Sequence, residues 1–339
     1  MKTKGIVFTK AYKAELLDIE CPEPAADEIT MEMEYSAISA GTEKANFIGE
    51  RASILDSEDT EAVFPRRVGY SSAGVVRAVG ENVKDLEVGD RIVVYESIHQ
   101  KHLNIKAKRA VKLPGEVSTK EASMGYISLF PLAAIRKTRV EIGESALVMG
   151  LGILGIFAVQ QLRVAGAYPI IAVDPIAERR EFALRMGADY ALDPKEEGFA
   201  LKVKELTQGG ANVCIEVTGL GVGLVQALDC MKRMGRVALL GCTRNSNFSI
   251  DYYSKVHGNG VTLIGAHTLM RPKVESYPAH WTHVDDLKAT VALIKGGRLN
   301  FKDMISETVS PADCQKVYDR LVNDKNFPIG VLFDWSLVD

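Results

Sequence analysis

Residues 145–174 read SALVMGLGILGIFAVQQLRVAGAYPIIAVD, and the order of residue types along this stretch decides the fold. The apolar run ending at Met149 has the length and composition of a buried strand. Gly150, Gly152 and Gly155 follow it as G-x-G-x-x-G and open an amphipathic helix. A second apolar run then ends in Asp174. This is the order of a Rossmann unit: the first glycine permits the tight turn, the second lets backbone approach a pyrophosphate, and the third lets helix and strand pack closely. The pyrophosphate faces the N–H groups at the helix start, which here also include Ile153 and Leu154. A lone G-x-G-x-x-G is a weak signal. A strand before it, a helix after it and an acid closing the next strand make it specific. Asp174 is placed to accept hydrogen bonds from the adenosine ribose hydroxyls. A carboxylate there repels a 2′-phosphate, so NAD is expected over NADP. Arg179 reads in three ways: over the adenine, paired with Asp174, or as a solvated helix arginine.

Outward from this unit the alternation continues. Residues 169–173, 190–192, 213–217 and 236–240 read as strands, and 177–186, 200–207 and 223–231 as helices. That pattern predicts a doubly wound parallel sheet with helices on both faces. A second glycine cluster, Gly219, Gly221 and Gly223, follows a strand and opens a helix, but the next strand ends in Gly241-Cys242 with no acid. It reads as a turn near the adenine side and not as a second phosphate loop. Residues 120–140 read as helical in character. Before them the chain is strand-like (residues 4–8, 28–37, 74–79 and 90–94), which predicts a mostly β domain. Residues 49–64, with Ser53, Asp56, Ser57, Glu58 and Asp59, read as a mobile polar loop over a site. The expected division is 1–120, 121–266 and 267–339, the last part returning to the first domain.

A chain of 339 residues is longer than one core usually serves, in keeping with two domains. With 47% hydrophobic and 25% charged residues it is an ordinary globular composition. A net charge of -3 offers no electrostatic case for nucleic acid or a membrane surface. Cys21, Cys214, Cys230, Cys242 and Cys314 are scattered and read as thiols, not as disulfides or a zinc knot. The start MKTKGIVFTKAYKAELL lacks an apolar signal core, so the expected compartment is the cytoplasm.

Taken together, the Gly74–Val93 run GVVRAVGENVKDLEVGDRIV, the EIGESALVMGLGILG turn, EVTG at Glu216–Gly219 and GRVALLG at Gly235–Gly241 resemble the medium-chain dehydrogenase/reductase superfamily, over nearly the whole chain. The resemblance implies a GroES-like catalytic domain split around the Rossmann domain, with the active site in the cleft. It also implies cofactor contacts at Thr218, Leu240, Gly241 and Ala266, the last three holding the nicotinamide carboxamide through backbone. It further implies a homodimer or homotetramer, with a strand such as 261–266 extending a sheet between copies.

The zinc-dependent members carry a cysteine where this chain has Ala40, in Ser39-Ala40-Gly41-Thr42-Glu43. Their Gly-His-Glu is Gly69-Tyr70-Ser71 here, and their later glutamate falls at Gly125. No ordinary catalytic zinc is therefore expected. SAISAGTE at Ser36–Glu43, GYSSAGVV at Gly69–Val76 and His99 resemble the branch that includes the bacteriochlorophyllide hydroxyethyl-group dehydrogenase.

Without zinc, oxidising an alcohol needs a side chain to take the hydroxyl proton. The candidates are Tyr70 or His99 as acid/base, Thr42 as hydrogen-bonding partner, and Glu43 beside it. Each also has a plainer reading: Tyr70 as a packed cleft-wall aromatic, Glu43 as a carboxylate pinning its loop, His99 as a loop histidine bonded to backbone. His99 with His102, and His280 with His283, have a spacing that suits paired metal ligands, without supporting ligands nearby. His267 and Arg271 follow the strand expected to end at the nicotinamide and are candidate substrate contacts, or else a surface pair. Trp281 is placed to stack on a sugar ring or to cap the core. The expected function is an NAD-dependent, zinc-independent dehydrogenase of a secondary alcohol in a polyol, sugar derivative or related metabolite. A quinone or enone reductase and a non-catalytic NAD-binding protein are the alternatives.

Overall fold

The computed structural model describes residues 1–50, 64–242 and 247–339. The polar loop expected over 49–64 falls almost wholly outside them. The chain forms two compact units. One comprises Met1–Ile127, Leu287–Gly296 and Phe301–Asp339; the other comprises Ser128–Asp286 and Gly297–Asn300.

The second unit is the Rossmann domain. Its sheet runs Tyr190–Leu192, Ile170–Val173, Ala146–Met149, Ala211–Glu216, Met231–Leu239, Thr262–Gly265, and every neighbouring pair is parallel. In chain order this is third, second, first, fourth, fifth, sixth. The order reverses beside Ala146–Met149, so the glycine turn that follows that strand lies at the switch point, where open α/β sheets bind ligands. Strands Ala146–Met149 and Ile170–Val173 are buried at every residue. That is why they read as unbroken apolar runs and not as alternating ones. Leu147, Ile171, Val203, Cys214, Leu228 and Val237 form the core on one face.

The first unit carries a seven-stranded sheet built around Glu28–Ala37, paired antiparallel with Ser71–Val79, His102–Lys106 and Val331–Asp334. A three-stranded sheet centres on Lys2–Lys10. Phe8, Phe47, Tyr318, Phe333 and Trp335 are buried in its core. Helix Ala40–Phe47 was not legible as a helix: its apolar pattern is weak and it is short.

The structure sharpens one segment of the sequence reading and moves one boundary. Residues 120–140 form two helices, Thr119–Ala122 and Gly125–Thr138. The break has a local cause. Ser71 Oγ accepts from the N–H groups of Tyr126 (3.2 Å) and Ile127 (3.3 Å), capping the second helix from a neighbouring strand. The return to the first unit comes at 286/287 and not at 266/267. Arg271 holds the intervening segment to the Rossmann unit through Asp286 Oδ2 (2.8 Å) and the carbonyl of Leu129 (2.9 Å). Among the described residues no helix is long and apolar enough to cross a membrane.

Candidate active site

In the Rossmann unit the three glycines have separate structural reasons. Gly150 has φ +95°, the left-handed region that favours glycine. A Cβ at Gly155 would lie 1.9 Å from the Gly150 carbonyl oxygen, so helix and turn touch only because it is absent. A Cβ at Gly152 would meet nothing within 4 Å. That open face is where a pyrophosphate fits, against the first N–H groups of helix Ile153–Val164, which a helix leaves without internal partners.

Asp174 is buried and does more than its sequence reading gave it. Its Oδ2 accepts from Leu151 N and its Oδ1 from Ile176 N, both at 2.9 Å. The carboxylate thus ties the glycine turn to the end of the next strand, and each oxygen keeps a second lone pair for a ribose hydroxyl. Arg179 Nη1 lies 3.8 Å from Asp174 Oδ2, the paired arrangement.

Thr218 is wedged between two glycines: a Cβ at Gly150 would lie 3.1 Å from its Cγ2, and one at Gly223 2.3 Å from its Oγ1. Gly219, at φ +64°, packs against the backbone of Cys242, and Gly221 lies under the Phe248 ring. The second cluster is thus a packing device, in line with its reading as a turn. Sequence reasoning missed Glu216, which holds this turn together. Its carboxylate accepts from Thr218 N (2.8 Å), the Thr218 hydroxyl and Gly219 N (3.4 Å), and its carbonyl accepts from Leu240 N and Gly241 N. Burial pushes its carboxyl up, against the pull of the Thr218 hydrogen bonds. Ala266 N donates to Leu239 O. The N–H groups of Leu240, Gly241 and Ala266 are therefore used by the sheet, and a carboxamide placed there would bond carbonyls.

In the first unit the catalytic candidates separate into a buried pair and a more accessible one. His99 is 1% exposed. Its Nδ1 lies 2.8 Å from Ser36 Oγ and its Nε2 3.1 Å from Glu43 Oε2. The Trp335 indole, a donor only, gives its N–H to Ser36 Oγ at 2.8 Å. Ser36 Oγ thus holds both the Trp335 N–H and His99 Nδ1, and Glu43 holds Nε2. Both ring nitrogens are engaged in the core, so the reading of His99 as the working acid/base is corrected. It is a bonded histidine, though its ring partners are side chains and not backbone.

Glu43 is equally buried. Its Oε2 also accepts from the Tyr318 hydroxyl at 2.6 Å, and its Oε1 accepts from Ser39 N at 2.8 Å. It pins its loop, as the plainer reading had it. Gly69 completes the packing: it has φ +89°, and a Cβ there would lie 2.7 Å from the His99 ring. Ser36, Tyr318 and Trp335 gave no sequence signal, because Tyr318 stands 275 residues from Glu43 and Trp335 299 from Ser36.

Tyr70 and Thr42 are less enclosed. Thr42 is exposed and Tyr70 half-buried. The Tyr70 hydroxyl donates to Ser39 Oγ and is also hydrogen-bonded with Thr42. Its ring stands edge-on to Tyr126 at 5.5 Å. Burial of the hydroxyl pushes the phenol above its ordinary value, against the pull of Ser39 and Thr42.

The residues in place do not fit an ordinary zinc. Ala40 and Gly125 offer no donor. A Cβ at Gly125 would already lie 3.0 Å from Leu287 Cδ1 and 3.2 Å from Val93 Cγ2. Ser71 is spent on capping a helix. Among the described residues no group of three or more His, Cys, Asp or Glu side chains is placed to hold a metal. Of the paired histidines, His102 Nδ1 bonds Thr3 Oγ1 at 3.1 Å, and the His280 ring packs on Tyr277 at 4.9 Å.

The substrate candidates are also redistributed. The Arg271 side chain is 2% exposed and is consumed by Asp286, Thr268 O and Leu129 O. Its reading as a substrate contact is corrected. Trp281 carries the Arg136 guanidinium 3.6 Å from its ring centroid, and Arg136 Nε donates to Asp286 Oδ1 at 2.7 Å. That face of the indole holds an arginine and not a sugar. His267 is exposed, with its ring nitrogen accepting from Leu269 N at 3.3 Å.

The family model described as zinc-binding dehydrogenase matches residues 154–284. That match lies within the Rossmann unit, and with the relatives that follow it supports the resemblance to the medium-chain dehydrogenase/reductase superfamily. The chain is 26% identical over 353 residues to a D-guloside 3-dehydrogenase of Escherichia coli (strain K12), covering 97% of this chain and all of that one. It is 29% identical over 340 residues to an L-threonine 3-dehydrogenase of Thermococcus kodakarensis, covering 90% of each. A crystal structure of an Escherichia coli oxidoreductase/dehydrogenase of unknown specificity has the same fold, with a TM-score of 0.85 at 21% identity over 98% of this chain and 99% of that one.

Proposed function

We propose that the protein is a dehydrogenase that interconverts a secondary alcohol and a ketone on a polyol, sugar derivative or related hydroxylated metabolite, using NAD(H) and no catalytic zinc. The observation that carries this reading is the substitution at the expected metal position. A tyrosine hydroxyl, held by Ser39 and Thr42, stands where the ligand histidine is expected, while the glycine turn and Asp174 are intact. The activities for which the relatives are named, a guloside and a threonine 3-dehydrogenase, both concern a hydroxyl-bearing carbon, which supports the substrate class.

When bound, the dinucleotide supplies or accepts hydride at the nicotinamide ring. The chain's own residues manage the proton. In reduction, as hydride reaches the carbonyl carbon, Tyr70 gives its phenolic proton to the oxygen and Thr42 holds that oxygen by a hydrogen bond. In oxidation the hydroxyl proton passes to the Tyr70 phenolate. Because its environment keeps the phenol protonated, Tyr70 is better suited at neutral pH to donate than to accept. Asp174, with its two remaining lone pairs, takes the ribose hydroxyls and disfavours a 2′-phosphate. The outer edge of Thr262–Gly265, the last strand of the sheet, is the place for a second copy in a homodimer.

The test is a panel of polyols, glycosides, hydroxy amino acids and vicinal diols assayed with NAD and NADP, and their ketones with NADH and NADPH. Turnover of a secondary alcohol with NAD supports the reading. Preference for NADPH with an enone or quinone acceptor replaces it with the reductase alternative. A protein that sediments as a monomer at micromolar concentration removes the dimer.

A further inference from the structure

We propose that Ser39 is a positioning residue, through which the buried Glu43–His99 pair fixes the Tyr70 hydroxyl for proton transfer. This rests on the reading of Tyr70 as the proton donor.

Ser39 occupies the position just before helix Ala40–Phe47, where a serine normally spends its hydroxyl on a backbone N–H of the first turn. Here its side chain makes no such bond. The hydroxyl instead accepts a hydrogen bond from the Tyr70 hydroxyl. The first turn is secured by Glu43: Ser39 N donates to Glu43 Oε1 at 2.8 Å, and Glu43 N donates to Ser39 O at 2.9 Å. The second carboxylate oxygen is clamped by His99 Nε2 and the Tyr318 hydroxyl. His99 is in turn held by Ser36 and, through its own N–H, by Val68 O at 2.7 Å. A continuous hydrogen-bonded chain therefore runs from the core of the unit to Tyr70, and Ser39 is its last link. The two buried groups first taken as catalytic candidates are joined to the Tyr70 hydroxyl by hydrogen bonds through it, and, besides burial, the Glu43 charge also acts on the phenol directly, pushing it up.

The chemistry suits a serine at this link. Before the reaction Ser39 Oγ accepts from the phenol. With the ketone in place the phenol turns its one O–H from Ser39 to the substrate oxygen, the Ser39 hydroxyl rotates to donate a hydrogen bond to the phenol oxygen, and that bond stays on the phenolate once the Tyr70 proton has been transferred. No proton leaves Ser39, and the phenolate is later reprotonated from water. A hydroxyl can both accept and donate by rotation alone, whereas an alanine would leave the phenolate without this partner.

The experiment compares full-length wild type, Ser39→Ala and Tyr70→Phe, each labelled with [ζ-13C]tyrosine. The Tyr70 signal is assigned by its loss in Tyr70→Phe. In Ser39→Ala at neutral pH the Tyr70 signal moves while that of Tyr318, which reports on the Glu43–His99 pair, stays in place. With NADH and a ketone from the panel above, Ser39→Ala loses roughly ten- to a hundredfold in kcat, the size of one hydrogen bond to an ionised group, with KM and NADH affinity retained. An unmoved Tyr70 signal overturns the proposal. So does Ser39→Ala turning over like wild type while Tyr70→Phe is inactive. If Tyr70→Phe itself turns over like wild type, the assignment of Tyr70 fails, and this inference goes with it.

Discussion

Replacing Asp286 with leucine separates the two readings of Arg271. Asp286 is fully buried and receives Arg136 Nε at 2.7 Å and Arg271 Nη1 at 2.8 Å. Burial pushes its carboxyl up, opposed by the two guanidinium groups. Without the carboxylate, Arg136 can swing toward solvent, because 22% of its side chain is exposed. Arg271 cannot, at 2%, and is left as a buried cation without its counter-ion. Breaking a buried pair from one side costs about 3–5 kcal/mol. At about 2–4 °C per kcal/mol for a domain of this size, the Rossmann unit should melt roughly 6–20 °C lower. Scanning calorimetry of the full chain measures this. Adding Arg271→Met removes the stranded charge, and the double variant should recover most of the loss, a non-additivity that marks direct coupling. The reasoning is refuted if Asp286→Leu melts with the wild type, or if Arg271→Met raises KM while leaving the melting temperature unchanged. The second result would return Arg271 to the substrate.

Three further outcomes follow from the geometry. Cys242 is the one exposed thiol of the five, and its backbone packs on Gly219, next to the Thr218 that abuts Gly150. NADH at ten times its Kd should slow alkylation of Cys242 by about tenfold, and an unchanged rate would move the cofactor elsewhere. Asp174→Ala should weaken NADH and lose discrimination against NADPH in fluorescence titrations; it should also destabilise the glycine turn, since it removes the acceptor for Leu151 N. The pH dependence has a definite sign. The Tyr70 phenol titrates above its ordinary range, so its basic form is scarce at neutral pH. Alcohol oxidation should climb about tenfold per pH unit between pH 7 and 9.5, while ketone reduction stays flat there. A plateau in oxidation near neutral pH would show that another group takes the proton.

The Rossmann half was largely legible because its signals are local. Strand, glycine turn, helix and closing acid lie within residues 145–174, and Gly155 meets Gly150 inside that stretch, whereas the packing of Gly150 on Thr218 does not show there. The catalytic half was legible only in its residue types. That Ala40, Tyr70 and Gly125 leave no zinc set is visible in the sequence. That His99 is sealed in the core is not, because its partner Ser36 comes from strand Glu28–Ala37, Glu43 from helix Ala40–Phe47, and Trp335, which bonds Ser36, from near residue 339. Arg271 misled for a similar reason. Its place after the sixth strand suggested a ligand, and its burial depends on Asp286, a residue on another element. Ser39 was quoted in a motif but passed over, because its hydroxyl contact with Tyr70, 31 residues further on, has no local signal.

The most direct test of the central claim is turnover in protein stripped of metal. The chain should be treated with a strong chelator, its zinc content measured by mass spectrometry, and its NAD-dependent oxidation of the best alcohol from the panel assayed at once. Full activity with far less than one zinc per chain is expected. Activity that disappears with the metal and returns when zinc is restored would contradict it.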